Sequence, residues 1–166
     1  MEKSTRIGFF LPLFLLLALA LPLSATAAPA IDIGLIAPMT GPGSMMGRDM
    51  RDAAILVIDR VNAAGGINGQ KLNLIVMDDK NQPTTALNAA KKLIYKDKVF
   101  TLISCYSPTS LAIMPITQET ETPHFIIGVA QKILEMGNQR IVRCTPSDRI
   151  LADHYVTFAV KKLFHL

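Results

Sequence analysis

Short apolar runs alternate with amphipathic segments along this chain from residue 31 to residue 148. The apolar runs are bounded by glycine, proline and polar residues, which is typical of buried strands. Between them, apolar residues recur at helical spacing, as in residues 49–64, which precede a glycine pair. The alternation predicts an α/β fold, a doubly wound parallel sheet with helices on both faces. The predicted strands are residues 31–37, 71–77, 99–103, 124–129 and 140–145.

Residues 101–118 carry the main candidate for a binding site. An apolar run ending at Ile103 is followed by a short turn and then by Ser107 and Pro108, which predict a helix start with Ser107 as its N-cap. A helix N-terminus presents free N–H groups and a positive dipole end, which favour a carboxylate or phosphate. Ligands bind beyond the strand ends of open α/β sheets. We therefore expect Ser107 and its neighbours Tyr106 and Thr109 to hold the anionic end of a small molecule.

Two other segments could serve the same crevice. Gly128 is predicted to end the fourth strand, where its backbone atoms could face Ser107. The glycine-rich residues 39–47 superficially resemble a dinucleotide-binding turn, but the glycine spacing is wrong and no acidic residue follows where a ribose would need it. We interpret this segment as a strand-to-helix loop whose backbone can approach a ligand closely.

The first 27 residues have the pattern of a secretory signal peptide. Two basic residues precede the apolar stretch 7–23, and the small residues 24–27 predict cleavage after Ala27. An uncleaved membrane anchor is the alternative, but a helix over that stretch would span only roughly 25 Å and contains two prolines. The sequence therefore predicts export to the periplasm.

The charge pattern argues against a nucleic-acid partner. The chain has 17 basic and 13 acidic residues, and the basic residues are scattered rather than arranged in a stripe with aromatics. No nucleophile, base and orienting group occur at a recognisable spacing, and His124 is expected to be a surface or packed residue rather than a base. We therefore expect a binding protein, with an α/β enzyme as the less favoured alternative. An enzyme would need a titratable residue with a shifted pKa beside Ser107.

The two cysteines, Cys105 and Cys144, are an even number in an exported chain, which invites a disulfide. However, Cys105 is predicted at the end of the third strand and Cys144 in the fifth. If one strand lies between these two, the thiols are roughly 10 Å apart, which is too far to bond. We expect two free, buried thiols, and two cysteines without clustered histidines predict no metal site.

Four stretches carry a resemblance to a known family: residues 33–42, residues 62–69, the pair Asp78-Asp79, and Arg143 with residues 145–148. Together and in this order, they resemble the extracytoplasmic solute-binding proteins of branched-chain amino acid ABC transporters. The resemblance implies one lobe of a clamshell that traps an amino acid, or a related small carboxylate or amide, for a membrane permease. It implies no cofactor and no catalysis, and we expect a monomer. A sensory or regulatory relative of the same fold remains an alternative.

The resemblance also implies roles for individual residues. Ser107 corresponds to the family serine that binds the amino acid carboxylate, and Gly128 to the residue whose carbonyl binds the amino group. Ala130 takes the place of a family threonine that contacts the ligand, so that hydroxyl is missing here. Met46 falls where leucine-binding members carry an aromatic residue that packs on the ligand.

By this resemblance the chain divides into the signal peptide 1–27, a ligand-binding lobe 28–147, and the start of a second lobe at 148–166. The last segment is predicted to be a helix with an apolar stripe that includes Leu151 and Phe158. Family members continue into a second lobe of comparable size, so we expect a fragment or a truncated gene product. The family disulfide is absent, because its positions are occupied by Asn81 and Tyr106.

Overall fold

The computed structural model describes residues 29–163, so the predicted signal peptide lies outside the described residues. Five strands form one sheet in the order β2-β1-β3-β4-β5, and every neighbouring pair is parallel. The predicted α/β fold is confirmed. The strands are β1 (Ile31–Ala37), β2 (Leu72–Asp78), β3 (Thr101–Ser104), β4 (His124–Ile126) and β5 (Ile141–Arg143).

The helices alternate with the strands. They are α1 (Ser44–Ala63), α2 (Pro83–Lys91), α3 (Ser107–Glu119), α4 (Lys132–Glu135) and α5 (Asp148–Phe158); π-helical turns, Lys92–Lys96 and Ala159–Leu163, continue α2 and α5. The first helix begins five residues before the predicted residue 49, because the chain turns at Gly43, whose φ is 81°. Among residues 29–163, no helix is long and apolar enough to cross a membrane.

The core lies on both faces of the sheet, but the two faces are covered unequally. One face packs against α2 and α3 through a large apolar cluster centred on Ile36, Leu102 and Ile113. The other face packs against α1, which contacts β1 and β2. Phe125 and Val142 share that second face, beyond the reach of α1, and are therefore partly exposed.

Because α1 covers only part of the sheet, fewer of its apolar residues are buried than helical spacing predicts. Helical spacing over residues 49–64 places Val57 on the apolar face with Ile58, but Val57 is 59% exposed. The buried residues of α1 are Gly47 and Ile58. A helix that covers only two strands needs a narrower apolar stripe than one that packs between a sheet and another helix.

The cysteine prediction is right in part. Strand β4 lies between β3 and β5, and both Cys105 and Cys144 are free thiols. Cys105 is buried as expected, but Cys144 is exposed. The reason is that β5 is an edge strand and Cys144 follows its last residue, Arg143.

His124 is a packed core residue, as expected, and has no exposed surface. Its Nε2 lies 2.7 Å from the Ser104 hydroxyl, which also lies 2.6 Å from the hydroxyl of Ser110 on α3. Burial lowers the pKa of His124 from 6.5 to about 4, because the charged imidazolium would lose its hydration. The three side chains join β3 and β4 to α3 beneath the helix start.

Candidate functional site

Three loops meet at the carboxyl edge of the sheet, because they follow three neighbouring strands. They are the β1–α1 loop (residues 38–43), the β3–α3 turn (residues 105–106) and the β4–α4 loop (residues 127–131). The chain winds in opposite directions from β1 and β3, so the crevice between these strands is a topological switch point. This is where ligands bind in open α/β sheets.

The start of α3 differs from the prediction in one respect. Tyr106, with φ −97° and ψ 150°, is the N-cap residue, and Ser107 is the first helical residue, followed by Pro108. Ser107 is therefore not the N-cap, and its hydroxyl makes no capping hydrogen bond to its own helix. The first intrahelical bond runs from the Ser110 N–H to the Tyr106 carbonyl at 2.9 Å. The earlier N–H groups of the helix have no intrahelical acceptor.

Ser107 instead joins α3 to the β4–α4 loop. The N–H of Ala130 donates to the Ser107 hydroxyl oxygen at 3.1 Å. Gly128 packs closely behind this bond, because a Cβ there would lie 2.9 Å from the Ser107 hydroxyl and 3.0 Å from its Cα. Gly128 lies beyond β4, which ends at Ile126, rather than within the strand as predicted. The structure thus brings together Ser107, Gly128 and Ala130; their binding of a ligand stays a prediction.

The remaining predicted residues surround this cluster at different depths. The Tyr106 side chain packs on the β1–α1 loop, where a Cβ at Gly43 would lie 2.8 Å from the Tyr106 hydroxyl. Met46 lies in the first turns of α1 with its side chain 49% exposed. Thr109 has no exposed surface and donates to the Tyr106 carbonyl at 3.0 Å. Thr109 therefore supports the turn from behind rather than lining its surface.

Asp78 fixes the β1–α1 loop on the far side of the crevice. Its carboxylate accepts from the Met39 N–H at 2.9 Å, from the Lys80 N–H at 2.9 Å and from the Thr40 hydroxyl at 2.6 Å. Burial alone would raise the pKa of Asp78, but these hydrogen bonds outweigh it and hold the pKa below its usual value. These hydrogen bonds thus stabilise the negative charge of Asp78, and the carboxylate in turn holds the loop in place.

Thr145 lies in this region but is not among the residues that the sequence predicts for the site. Its hydroxyl lies 3.1 Å from the Gly128 carbonyl oxygen and 3.4 Å from that of Ile127. Next to it, the N–H of Asp148 donates to the Val129 carbonyl at 2.9 Å. Thr145 belongs to a stretch that carries the family resemblance, but its partners precede it by 17 and 18 residues, so local sequence gives no sign of the contact.

The titratable groups near the crevice do not form a catalytic set. Burial, together with the charge of Asp79, raises the pKa of the Cys105 thiol to about 11, so that it stays protonated at neutral pH. Burial also raises the pKa of Asp79, which has no exposed surface. Within residues 29–163 there is no group of three side chains that could hold a metal ion.

Residues 30–164 match the family described as periplasmic binding protein. The chain belongs to this family. Members are extracytoplasmic solute-binding proteins rather than enzymes, and the predicted resemblance to the branched-chain amino acid type is confirmed by the relatives. One relative, the Leu/Ile/Val-binding protein homolog 7 of Brucella abortus, is 30% identical over 85% of this chain and 36% of its own length.

Solved structures of solute-binding proteins also superpose on this chain. A leucine-binding protein from Thermotoga maritima superposes with a TM-score of 0.71 at 30% identity, over 81% of this chain and 38% of that one. A solute-binding protein of an ABC transporter from Rhodopseudomonas palustris, solved with 3,4-dihydroxybenzoic acid, has a TM-score of 0.64 at 26% identity, over 72% of this chain and 32% of that one. This periplasmic binding protein chain therefore spans little more than a third of the length of the relatives it matches.

Proposed function

We propose that this chain is the substrate-binding component of an ABC transporter, or one lobe of it, and captures a branched-chain amino acid or a similar small carboxylate or amide in the periplasm. The observation that carries the proposal is the hydrogen bond from the Ala130 N–H to the Ser107 hydroxyl oxygen at the start of α3. The signal peptide, the delivery to a membrane permease and the monomeric state belong to the same proposal.

The bond from Ala130 determines what the Ser107 hydroxyl can do. A serine hydroxyl has one proton to donate, and here its oxygen already accepts. The proton is thus left to donate to a ligand oxygen beside the free N–H groups of the first turn of α3. Hydrogen bonds from a hydroxyl and from backbone amides, together with the positive helix end, suit a carboxylate.

The Gly128 carbonyl supports recognition of an amino group. A carbonyl oxygen has two lone pairs, and the Thr145 hydroxyl takes one of them. The other is available to an ammonium group, which donates three hydrogen bonds and accepts none. Ala130 replaces the family threonine, and its methyl group packs instead against the apolar cluster of Met114, Ile126 and Ile133. We infer that the ligand loses one hydroxyl contact here.

The apolar wall of the crevice supports a ligand with a hydrophobic part. Tyr106 presents an aromatic ring beside the β1–α1 loop, and Met46 is exposed at the same edge of the sheet. A methionine side chain adapts to ligands of different shape more readily than an aromatic ring does. Small aromatic carboxylates are therefore included among the candidates, as the dihydroxybenzoic acid bound by the Rhodopseudomonas palustris protein also suggests.

Ser107→Ala is expected to weaken binding of L-leucine by about 1–3 kcal/mol, because a charged carboxylate loses one hydrogen bond. Calorimetric titration of the wild-type chain and the variant measures the difference. Thr120→Ala is the matched control, because it removes a hydroxyl at the opposite end of α3, where Thr120 donates to the Ile116 carbonyl. Equal affinities of wild type and Ser107→Ala would contradict the proposed role of Ser107.

A further inference from the structure

The segment that leaves β5 is hydrogen-bonded to the loop that carries Gly128. This exit segment, residues 144–147, joins β5 to α5. Thr145 donates to the Gly128 carbonyl at 3.1 Å, and the Asp148 N–H donates to the Val129 carbonyl at 2.9 Å. Two consecutive carbonyl groups of the β4–α4 loop thus accept from the chain that follows β5, one from the exit segment and one from the first residue of α5.

The loop depends on such contacts for its conformation, because residues 127–130 belong to no strand or helix. At its start, the Ile127 N–H donates to the Ser104 carbonyl at 3.0 Å. At its end, the Ala130 N–H donates to Ser107. Between these two points, the Gly128 peptide group has no side chain of its own to restrict it. The orientation of its carbonyl therefore rests largely on the partner it finds, which is Thr145.

We propose that Thr145 is a positioning residue that directs the Gly128 carbonyl toward the amino group of the ligand. This inference rests on the proposed function, in which that carbonyl accepts from the ligand ammonium. Thr145 touches no ligand atom in this scheme. Its hydroxyl occupies one lone pair of the Gly128 oxygen and thereby fixes the direction of the other.

Loss of the Thr145 hydroxyl is expected to affect ligands with an amino group and not ligands that have only a carboxylate. Without the Thr145 hydroxyl, the Gly128 and Ile127 carbonyls lose a donor, and the Gly128–Val129 peptide group, which carries the Gly128 carbonyl, is held less firmly. A ligand with an amino group then has to order that carbonyl on binding. A ligand that has only a carboxylate uses Ser107 and the start of α3, which are held by contacts that do not include Thr145. Thr145 should therefore set the preference for amino acids over simple carboxylates.

Thr145→Val tests the inference, because valine keeps the shape of threonine and removes the hydroxyl. The probes are L-leucine and isocaproate, which is leucine without its amino group. We expect the variant to bind L-leucine about three- to tenfold more weakly and isocaproate with unchanged affinity, as the loss of one net hydrogen bond predicts. Thr145→Ser keeps the hydroxyl and should restore the wild-type ratio of the two affinities.

Thermal unfolding without ligand separates this role from a structural one. If Thr145 has only a structural role, the variant melts at a lower temperature and binds both ligands more weakly by the same factor. That result would overturn the inference. If valine prevents folding, Thr145→Ala removes the same hydroxyl with less steric demand at the site. The inference is also overturned if Thr145→Val keeps the wild-type ratio of affinities.

Failure of the proposed function has a different signature. In that case the wild-type chain itself binds neither L-leucine nor isocaproate. Equal binding of the two probes by the wild-type chain overturns the inference instead, because the Gly128 carbonyl then contributes nothing to recognition of the amino group. A wild-type chain that prefers L-leucine, with a Thr145→Val variant that prefers it as strongly, rejects only the role of Thr145.

Discussion

Gly47→Ala is expected to destabilise the folded chain by about 1–3 kcal/mol or more, which is the usual cost of overpacking a well-packed site. Gly47 is buried in the first turns of α1, and a Cβ there would lie 2.0 Å from the carbonyl oxygen of Pro38 and 2.8 Å from its carbonyl carbon. The obstacle is backbone, which cannot move aside as the end of a flexible side chain can. The start of α1 would have to separate from the β1–α1 loop.

The direction of this effect is informative. In an open helix, alanine in place of glycine stabilises by about 1 kcal/mol, because alanine is the better helix former. A destabilised Gly47→Ala variant therefore reports the close approach of α1 to Pro38 rather than helix propensity. Asp59→Ala, at an exposed position of the same helix, is the control and should change stability by no more than about 0.5 kcal/mol. Urea unfolding measures both, and a Gly47→Ala variant as stable as wild type would show that this contact is absent.

His124 is expected to make the chain lose stability as the pH falls from 6.5 toward 4. Burial lowers the pKa of the folded residue to about 4, whereas the unfolded residue keeps a value near 6.5. Between these values the unfolded state binds a proton that the folded state does not, so acid favours unfolding. A shift of this size corresponds to about 3 kcal/mol, lost gradually over that range and fully present above it.

Replacing His124 with glutamine removes the titrating group while keeping a polar side chain near Ser104 and Ser110. The slope of unfolding free energy against pH between 6.5 and 4 should become flatter than in wild type. Burial raises the pKa of Asp79, which works in the opposite direction as pH falls, so the difference between variant and wild type is the quantity to compare. His154→Gln, on exposed α5, is the control. Equal slopes in wild type and His124→Gln would contradict the burial of His124.

The sequence predicted the sheet well because each strand is an apolar run closed by glycine, proline or polar residues. Strand β1 falls on the predicted residues 31–37, and β2 is displaced by one residue. Strands β4 and β5 have three residues each, where six were predicted. The start of α1 was placed too late, because the glycine-rich stretch before residue 49 has the composition of a loop. In the structure this stretch is helical from Ser44, directly after the turn at Gly43, and Gly47 packs on Pro38, a contact with no local signature in the sequence.

The candidate site was predictable in its position and less so in its bonds. A serine and a proline after a buried strand indicate a helix start at the sheet edge, which is where α3 begins. The sequence could not show that the Ser107 hydroxyl would face Ala130, because that partner lies 23 residues away. Thr145 was missed for the same reason. Contacts between loops depend on strand order, which local patterns do not encode.

We infer that the start of α3 and the β4–α4 loop hold the charged end of a small amino acid. The isotopically labelled chain can be titrated with L-leucine while its backbone amide NMR signals are followed. We expect saturable shifts of the Ser107, Thr109 and Ala130 amides, and smaller shifts when Ser107 is replaced by alanine. Unmoved signals at these three residues, or saturable shifts confined to another part of the chain, would contradict it.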